Sequence, residues 1–413
     1  MPLIRPFAGL RPDPSQAAAV VAPPYDVLNS AEARVRAAGK PWSFLHISKP
    51  EIDLPQGTDP YSPEVYAKGA ENLARMSREG VLRRDNKPLY YVYRLTMGDH
   101  VQTGLVAVAS VAEYDKNRIR KHEFTRPDKE DDRVRNIEAL NAQTGPVFLA
   151  YRADPSVDEL LAAISTGVPE VDVTADDGVR HCMWVVRDDN QLAFLTKAFD
   201  AMDVLYIADG HHRSAAASRV AAQRRAANAG HTGDEAYNYF LSVIFPHDQL
   251  QILDYNRVVK DLNGLSPKAF LDRVSDDFDV ITSDVPVKPG KEGEFGVYLN
   301  GRWYRLEVKD DRVDTDDPVA RLDVSVLSDF LIAPVLGIGD PRRDQRIDFV
   351  GGIRGLKALE QRVNNGEAAV AFSLYPTQME ALMAVADAGQ VMPPKSTWFE
   401  PKLADGLVSH VLD

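Results

Sequence analysis

Residues 206–216 read YIADGHHRSAA, and this stretch decides how the fold is interpreted. The apolar run before it, 204–208, is typical of a buried strand. Gly210 permits a tight turn, and an alanine-rich segment that favours a helix follows to about Ala227. The stretch therefore predicts a strand, a glycine turn and a helix in immediate succession.

The turn has the composition of an anion site. Backbone N–H groups at a helix N-terminus are unpaired and carry partial positive charge. Beside it, His211, His212 and Arg213 can donate to phosphate oxygens, the arginine through two parallel hydrogen bonds. Asp209 could hold Mg²⁺ or orient a hydroxyl. The alternative is that Asp209 is only the N-cap of a solvated helix.

The remainder of the chain alternates helical and strand patterns. The opening 60 residues are rich in proline and turn residues and predict rigid extended loops. The segment 228–235 (NAGHTGDE) is the best candidate for a boundary, which predicts lobes at 1–230 and 231–413. The mixture predicts an α/β (mixed α+β) fold. Helices are predicted at 63–79, 131–142, 157–164, 191–202, 267–274, 324–336, 353–363 and 377–388. Strands are predicted at 89–97, 102–114, 146–151, 171–173, 181–186, 204–208, 238–246, 249–253, 295–308 and 369–375.

Composition excludes several classes of protein. The chain has 413 residues and a formal charge of −13, which argues against a protein that coats nucleic acid. The single cysteine, Cys182, excludes an intramolecular disulfide and lies in an apolar run typical of a packed core thiol. No stretch approaches the roughly 20 apolar residues of a membrane span, and prolines interrupt the N-terminus where a signal peptide would be apolar. We expect a cytoplasmic protein with no membrane partner.

A second polar cluster, KHEFTR, spans residues 121–126. It matches half of the zinc-protease motif HExxH, but Arg126 occupies the position of the second histidine. Its mixed acids and bases predict either an exposed charged loop or one wall of a pocket for an anionic substrate. Candidate substrate contacts in and after this cluster are His122, Glu123, Thr125 and Arg133.

Two proline-rich loops also carry reactive side chains. Residues 392–402 read MPPKSTWFEPK, and Lys395, Ser396 and Thr397 suit contact with a phosphate, although a loop with a packed tryptophan explains the stretch equally well. In the loop APPYD, residues 22–26, Asp26 is a carboxylate on a stiff segment, as a general base requires.

Four motifs in this order, APPYDV, KHEFTRPDKEDDR, ADGHHRSAA and MPPKSTWFEPKL, resemble the domain of unknown function 1015 family over nearly the whole chain. The DGHHR turn and its alanine-rich helix are also similar to the ParB/sulfiredoxin-like superfamily, which includes the SerK-type kinases of free serine. The resemblance implies a ParB/sulfiredoxin-like catalytic lobe and an accessory C-terminal α/β lobe that contributes the PPKST loop to the site.

The same resemblance implies an enzyme, an ATP- or ADP-dependent phosphotransferase with an alcohol group as acceptor, most simply a kinase that converts L-serine to O-phospho-L-serine. Asp209, Gly210, His211, His212 and Arg213 would surround the transferred phosphate, with Mg²⁺ bridging at Asp209. The kinases use a glutamate as base, and the aligned position here is Asp26. His46 and Ser48 would line the substrate pocket. The implied partners are a nucleotide and a free amino acid, with a homodimer as a candidate assembly.

Three alternatives remain. A ParB-like switch would bind or hydrolyse nucleotide without phosphorylating a small molecule. A sulfiredoxin-like reductase needs a reactive cysteine, whereas the apolar surroundings of Cys182 disfavour a thiolate. A metal hydrolase would need His211 and His212 on one ion, but neighbouring residues of a helix do not face the same way.

Overall fold

The structure, a computed structural model, describes residues 2–310, 312–313 and 316–413. The chain divides into two compact units, Met1–Leu250 together with Pro401–Asp413, and Gln251–Glu400. Both units combine helices with sheets, so the predicted mixed α/β fold is confirmed.

A nine-stranded mixed sheet forms the centre of the first unit. The unit's strands, numbered in chain order, are β1 (Ile4–Arg5), β2 (Leu10–Pro12), β3 (Leu82–Arg84), β4 (Tyr90–Met97), β5 (His100–Ser110), β6 (Ile119–Arg120), β7 (Ala142–Gln143), β8 (Val147–Tyr151), β9 (Val171–Thr174), β10 (Arg180–Val186), β11 (Leu205–Asp209), β12 (Tyr239–Pro246) and β21 (His410–Val411). The sheet has the order β6-β11-β8-β12-β5-β4-β10-β9, with β1 paired to β5. Strand β11 runs parallel to β6 and antiparallel to β8, and its register against β8 shifts just before Asp209.

The described part of the first unit contains nine α-helices. They are α1 (Ala17–Val20), α2 (Ser30–Ala37), α3 (Leu45–Ser48), α4 (Pro63–Arg78), α5 (Val111–Asp115), α6 (Pro127–Leu140), α7 (Pro155–Ile164), α8 (Asp189–Asp200) and α9 (His211–Ala227). The alanines of α9 give it a slim buried face, because Ala216, Ala217 and Ala221 are at most 1% exposed. These short alanine side chains let α9 lie close to the sheet and to α6. The first turn of α9 is thereby placed at the end of β11.

The second unit contains a six-stranded sheet. The strands of this unit are β13 (Gln251–Leu253), β14 (Tyr255–Val259), β15 (Phe278–Ser283), β16 (Glu294–Leu299), β17 (Arg302–Val308), β18 (Ile347–Gly351), β19 (Val370–Leu374) and β20 (Trp398–Glu400). The α-helices of this unit are α10 (Pro267–Val274), α11 (Asp323–Leu327), α12 (Gly355–Asn364) and α13 (Met379–Asp387). The order of the large sheet is β15-β17-β16-β19-β14-β18, and β13 pairs with β20 separately.

The boundary between the units differs from the expected position near residue 230. Strand β12 pairs with β5 and β8, so the residues up to Leu250 stay with the first sheet, and 401–413 return to the same unit. The buried strand β12 was recognisable from its apolar pattern, but its pairing partner depends on contacts that are distant in sequence.

Three local predictions were wrong. The opening 60 residues contain helices α1, α2 and α3 in addition to loops, because prolines fall between these helices and not within them. The strand expected to continue to residue 114 ends at Ser110, whose side chain caps the short helix α5. The strand expected over 295–308 is a hairpin, β16 and β17, that turns at Asn300 and Gly301, both with positive φ.

Two further observations concern the chain as a whole. Cys182 is buried in β10, as predicted, and burial raises the pKa of its thiol to about 11. Among the described residues, the structure contains no helix that is both long and apolar enough to cross a membrane.

Candidate active site

The turn between β11 and α9 has the geometry that the sequence predicts. Gly210 is the N-cap residue of α9 and has φ +98° and ψ 27°, in the left-handed region. A β-carbon at this position would lie 3.2 Å from Arg213 Nε and 3.3 Å from Val147 Cα. A side chain here would therefore be strained by the backbone angle and would also crowd Arg213 and the backbone of Val147. The turn directs the first N–H groups of α9, which have no intrahelical partner, to the end of the sheet.

Asp209 is surrounded by cations. Its Oδ2 lies 3.6 Å from Lys402 Nζ and 3.5 Å from Arg213 Nη2, and its Oδ1 accepts a hydrogen bond from the N–H of Gly210 at 2.9 Å. Burial alone would raise the pKa of Asp209, but Lys402 and Arg213 lower it well below its usual range. Asp209 is therefore ionised at neutral pH.

Arg213 joins two carboxylates. Its Nη2 lies 3.5 Å from Asp209 Oδ2 and 4.0 Å from Asp26 Oδ2, while its Nη1 donates to the carbonyl of Pro146. Burial opposes the charge of Arg213, yet Asp209 and Asp26 outweigh it and hold the pKa above its ordinary value. The structure thus brings Asp26, from the proline-rich loop, to the same guanidinium as Asp209.

His211 and His122 form a neutral buried pair. Their rings meet edge to face with centroids 4.5 Å apart, and His211 Nε2 accepts a hydrogen bond from the N–H of His122 at 3.4 Å. Burial, followed by the neighbouring His122, lowers the pKa of His211 well below its ordinary value, and burial lowers the pKa of His122 to about 4. An anion at the turn would therefore meet N–H donors of neutral imidazoles instead of two further positive charges.

The other residues of this cluster are engaged in local contacts. His212 Nε2 accepts a hydrogen bond from the N–H of Arg126 at 3.1 Å, next to the start of α6. The hydroxyl of Thr125 donates to Glu130. Glu123 is exposed, and its Oε2 lies 3.8 Å from His211 Nδ1. Of these three predicted contacts, Glu123 is the one that reaches the side of His211.

A cleft adjoins the turn. The residues that line it are Tyr25, Ser48, Arg133, Asn136, Ile137, Gln143, Thr144, Gly145, Val147, Arg213, Phe240, Leu241 and Asp405. Two predicted residues thus join Arg213 in one cavity. Ser48 has a buried hydroxyl without a hydrogen-bond partner in the described residues. Arg133 stacks over the ring of Tyr25 at 4.0 Å and pairs with Asp132 at 2.7 Å.

Asp405 lines the same cleft and was not among the predicted site residues. It is 2% exposed, and its backbone pairs with that of Ala22, which anchors the loop that carries Asp26. Burial raises the pKa of Asp405 to about 7, although Arg213 opposes this shift. A charged residue within the otherwise apolar segment LADGLV, 403–408, was the available signal in the sequence.

His46 is placed outside the lining of this cleft. Its Nδ1 lies 2.8 Å from Asp53 Oδ1 and its Nε2 lies 3.1 Å from the carbonyl of Lys40. Asn72 donates to both the carbonyl of His46 and the carboxylate of Asp53. These contacts join α3 to α4 and leave neither ring nitrogen of His46 open to a substrate.

The loop with Lys395, Ser396 and Thr397 belongs to the second unit. Within that unit, the carbonyl of Lys395 accepts from Arg257 at 3.1 Å, and the carbonyl of Ser396 accepts from Thr377 at 2.9 Å. The contribution of this loop to the site at Asp209 stays a prediction. The second lysine of the same motif, Lys402, lies in the first unit and contacts Asp209 directly.

Asp209 can supply a single carboxylate to a metal ion. In the part of the chain that the structure describes, no three side chains of His, Cys, Asp or Glu are grouped so that they could hold a metal. Mg²⁺ in nucleotide-binding sites is commonly bound by one or two carboxylates together with substrate phosphates. The residues present therefore fit a Mg²⁺ that binds together with a nucleotide.

The fold and this site define a mixed α/β protein with a helix N-terminus, an arginine and flanking carboxylates at one end of its main sheet. The chain belongs to the family described as "Protein of unknown function (DUF1015)", whose model matches residues 4–325. None of the curated proteins matches the chain.

Several solved structures are similar to this chain. A free serine kinase in complex with AMP is 14% identical with a TM-score of 0.34, covering 71% of this chain and 86% of that chain. A conserved hypothetical protein from Pyrococcus furiosus is 15% identical with a TM-score of 0.34, covering 73% and 93%. SbnI with a C-terminal truncation, from Staphylococcus aureus, is 10% identical with a TM-score of 0.36, covering 73% and 85%.

Proposed function

We propose that this protein is a nucleotide-dependent kinase that phosphorylates the hydroxyl of a small free amino acid, with L-serine as acceptor and O-phospho-L-serine as product. The observation that carries the proposal is the position of Arg213. Its guanidinium lies in the first turn of α9, within ion-pair distance of two carboxylates, and lines a cleft. Phosphoryl transfer asks a protein mainly for positioning and compensation of charge, which these groups supply.

The donor phosphate would bind at the glycine turn. Gly210 allows the backbone to approach, the free N–H groups of α9 point at the phosphate, and Arg213 adds a charge-assisted hydrogen bond. His211 contributes a neutral donor. Mg²⁺ bound together with the nucleotide would be held by Asp209 and would neutralise phosphate charge.

The acceptor would bind in the cleft beside the turn. Arg133 and the buried hydroxyl of Ser48 are polar groups that face this space. The acceptor oxygen forms a bond to the terminal phosphorus, the bond from that phosphorus to the bridging oxygen breaks, and the hydroxyl proton passes to a carboxylate. We assign that role to Asp26, which is exposed and approaches the same nitrogen of Arg213, Nη2, as Asp209 does. A carboxylate base helps because a serine hydroxyl is not ionised at neutral pH.

Mass spectrometry of the reaction products tests this proposal. The purified full chain with Mg²⁺ is given ATP or ADP, each with a panel of free amino acids led by L-serine. We expect phosphoserine that requires the nucleotide and Asp209, and the productive nucleotide identifies the donor. Nucleotide binding or hydrolysis without a phosphorylated amino acid would support a ParB-like switch instead. Absence of nucleotide binding would contradict both functions.

A further inference from the structure

Arg257 is a buried cation in the second unit. It lies in β14, and 5% of its surface is exposed. No carboxylate in the described residues forms an ion pair with it. Burying a charge without an opposite charge is costly, so buried arginines are normally paired. The unpaired guanidinium therefore needs an explanation.

The contacts of Arg257 orient the guanidinium but do not neutralise it. Nη1 donates to the carbonyl of Tyr255, and Nη2 donates to the carbonyl of Lys395 at 3.1 Å. Carbonyl oxygens are dipoles without net charge. A guanidinium has five N–H donors in a planar fork, so these two hydrogen bonds leave donors for an oxyanion.

Lys395 brings a second cation to the same group of aromatic rings. Its ammonium lies 5.6 Å from the centre of the Tyr255 ring, and Arg257 Cζ lies 5.4 Å from the centre of the Phe349 ring. The rings of Tyr255 and Phe349 are themselves 5.9 Å apart. The two cations therefore border one aromatic cluster.

The backbone at Lys395 is strained. Its φ is +60°, a left-handed conformation that costs a non-glycine residue about 1 kcal/mol or more. The loop is braced in this shape, because Thr377 donates to the carbonyl of Ser396 at 2.9 Å and Ser396 donates to the carbonyl of Pro393 at 2.6 Å. Strain that the surrounding contacts maintain is common in ligand-binding loops.

We propose that Arg257 and Lys395 form an oxyanion site in the second unit that takes a phosphate group. The guanidinium would hold the phosphate through its remaining donors. The exposed ammonium of Lys395 would balance the rest of the phosphate charge from the solvent side. The phosphate belongs either to a free phosphate ion or to a nucleotide, whose base would reach the aromatic cluster. This proposal does not depend on the proposed kinase activity.

Calorimetric titration of the full chain with inorganic phosphate, and separately with AMP, tests the site. Lys395→Gly removes the ammonium while suiting the left-handed backbone, so its fold is expected to persist. We expect phosphate binding to weaken at least tenfold in Lys395→Gly. The matched control Lys268→Gln, on the surface helix α10, should bind as the unchanged protein does. If AMP binds more tightly than phosphate, and Lys395→Gly weakens the binding of AMP as well, the phosphate group at this site belongs to a nucleotide.

A second pair of variants separates this site from the turn at Asp209. Arg213→Gln should leave phosphate binding at the second unit unchanged, whereas Arg257→Lys should weaken it while keeping a positive charge, since the fork is lost. Thermal unfolding reports the same event, because phosphate should raise the Tm of Arg213→Gln, in which the turn at Asp209 is weakened, and should raise it less when Lys395→Gly is added. Absence of saturable phosphate binding, unchanged binding in Lys395→Gly, or loss of all binding in Arg213→Gln would overturn the proposal.

Discussion

The ammonium of Lys402 lies 3.6 Å from the carboxylate of Asp209, although the two residues come from distant parts of the chain. The C-terminal segment 401–413 returns to the first unit and delivers this cation. Together with Arg213, Lys402 lowers the pKa of Asp209. The carboxylate is therefore charged at neutral pH. A phosphate that approaches the turn would meet both cations, and Asp209 keeps them in place before it arrives.

Asp209→Asn should abolish activity and leave the fold intact. The amide removes the negative charge that positions Lys402 and Arg213, and it is a weaker ligand for Mg²⁺. We expect phosphoserine formation to fall at least 100-fold. The free energy of unfolding should fall by about 1–2 kcal/mol at neutral pH, because the amide no longer pairs with Lys402 and Arg213. Denaturant unfolding measures the free energy of unfolding, and the product assay measures phosphoserine formation. Asp203→Asn, at an exposed position before β11, is the control and should change neither. An unfolded Asp209→Asn protein would show that the ion pairs of Asp209 serve the fold and would contradict the assignment of this residue to the reaction.

Asp26→Asn should reduce turnover without weakening nucleotide binding. Asp26 lies 4.0 Å from Arg213 and is the proposed acceptor of the hydroxyl proton. Loss of a general base typically costs 10²–10⁴-fold in rate, so we expect kcat to fall by about that factor while the Kd for nucleotide changes less than threefold. Equal losses in kcat and in nucleotide affinity would instead place Asp26 in the phosphate-binding set.

Gly210→Ala should disrupt the turn through backbone strain and through crowding of the added β-carbon. Gly178→Ala separates these two effects. Both glycines have positive φ, +98° and +84°, but a β-carbon at Gly178 would meet nothing within 4 Å. Backbone strain alone should cost each variant about 1–2 kcal/mol. The crowding against Arg213 and Val147 is present at Gly210 alone, so we expect nucleotide affinity to fall at least tenfold there and to stay unchanged in Gly178→Ala. Equal nucleotide affinity in the two variants would contradict the close approach.

His46→Gln should destabilise the protein in acid more than in alkali. The hydrogen bond to Asp53 raises the pKa of His46 above its ordinary value of 6.5, despite partial burial. A group whose folded pKa is raised contributes stability that is fully present below the unfolded pKa and is lost as pH rises through the folded pKa. We expect His46→Gln to lower the free energy of unfolding by about 1 kcal/mol at pH 5.5 and by less at pH 9. Urea unfolding at both values measures this, with His100→Gln as the control. A larger loss at pH 9 would contradict the charged pair.

The sequence predicted the elements at the site better than their neighbours. The strand before Asp209 and the helix after Gly210 follow from a local apolar run, one glycine and a run of alanines, so their order needs no distant contact. The approach of Asp26 to Arg213 depends on the backbone pairing of Ala22 with Asp405, which joins the two ends of the chain. No periodicity in one sequence reports such a pairing.

The roles of individual polar residues were less predictable. His46 and Ser48 lie two positions apart in α3, yet His46 is bonded to Asp53 while Ser48 faces the cleft. Residue type indicated that both side chains could contact a substrate. Only the packing of α3 against α4 determines which of the two faces the cleft. Asp405 was overlooked for the related reason that a single carboxylate in an apolar segment has no motif around it.

Asp405→Asn should stabilise the protein at alkaline pH. Burial raises the pKa of this carboxyl from 3.8 to about 7, so between these values the folded state binds more protons than the unfolded state. The stability therefore falls as pH rises through this window, and the penalty of the buried charge is complete above pH 7. The asparagine is neutral at every pH, and we expect it to raise the free energy of unfolding at pH 8 by on the order of 1–3 kcal/mol. Below pH 4 the two proteins should differ little. Urea unfolding from pH 4 to pH 8 measures the difference, with Asp176→Asn, at an exposed position before β10, as the control. A difference that does not grow with pH, or a loss of stability at pH 8, would show that Arg213 and Arg133 keep Asp405 charged in the folded protein.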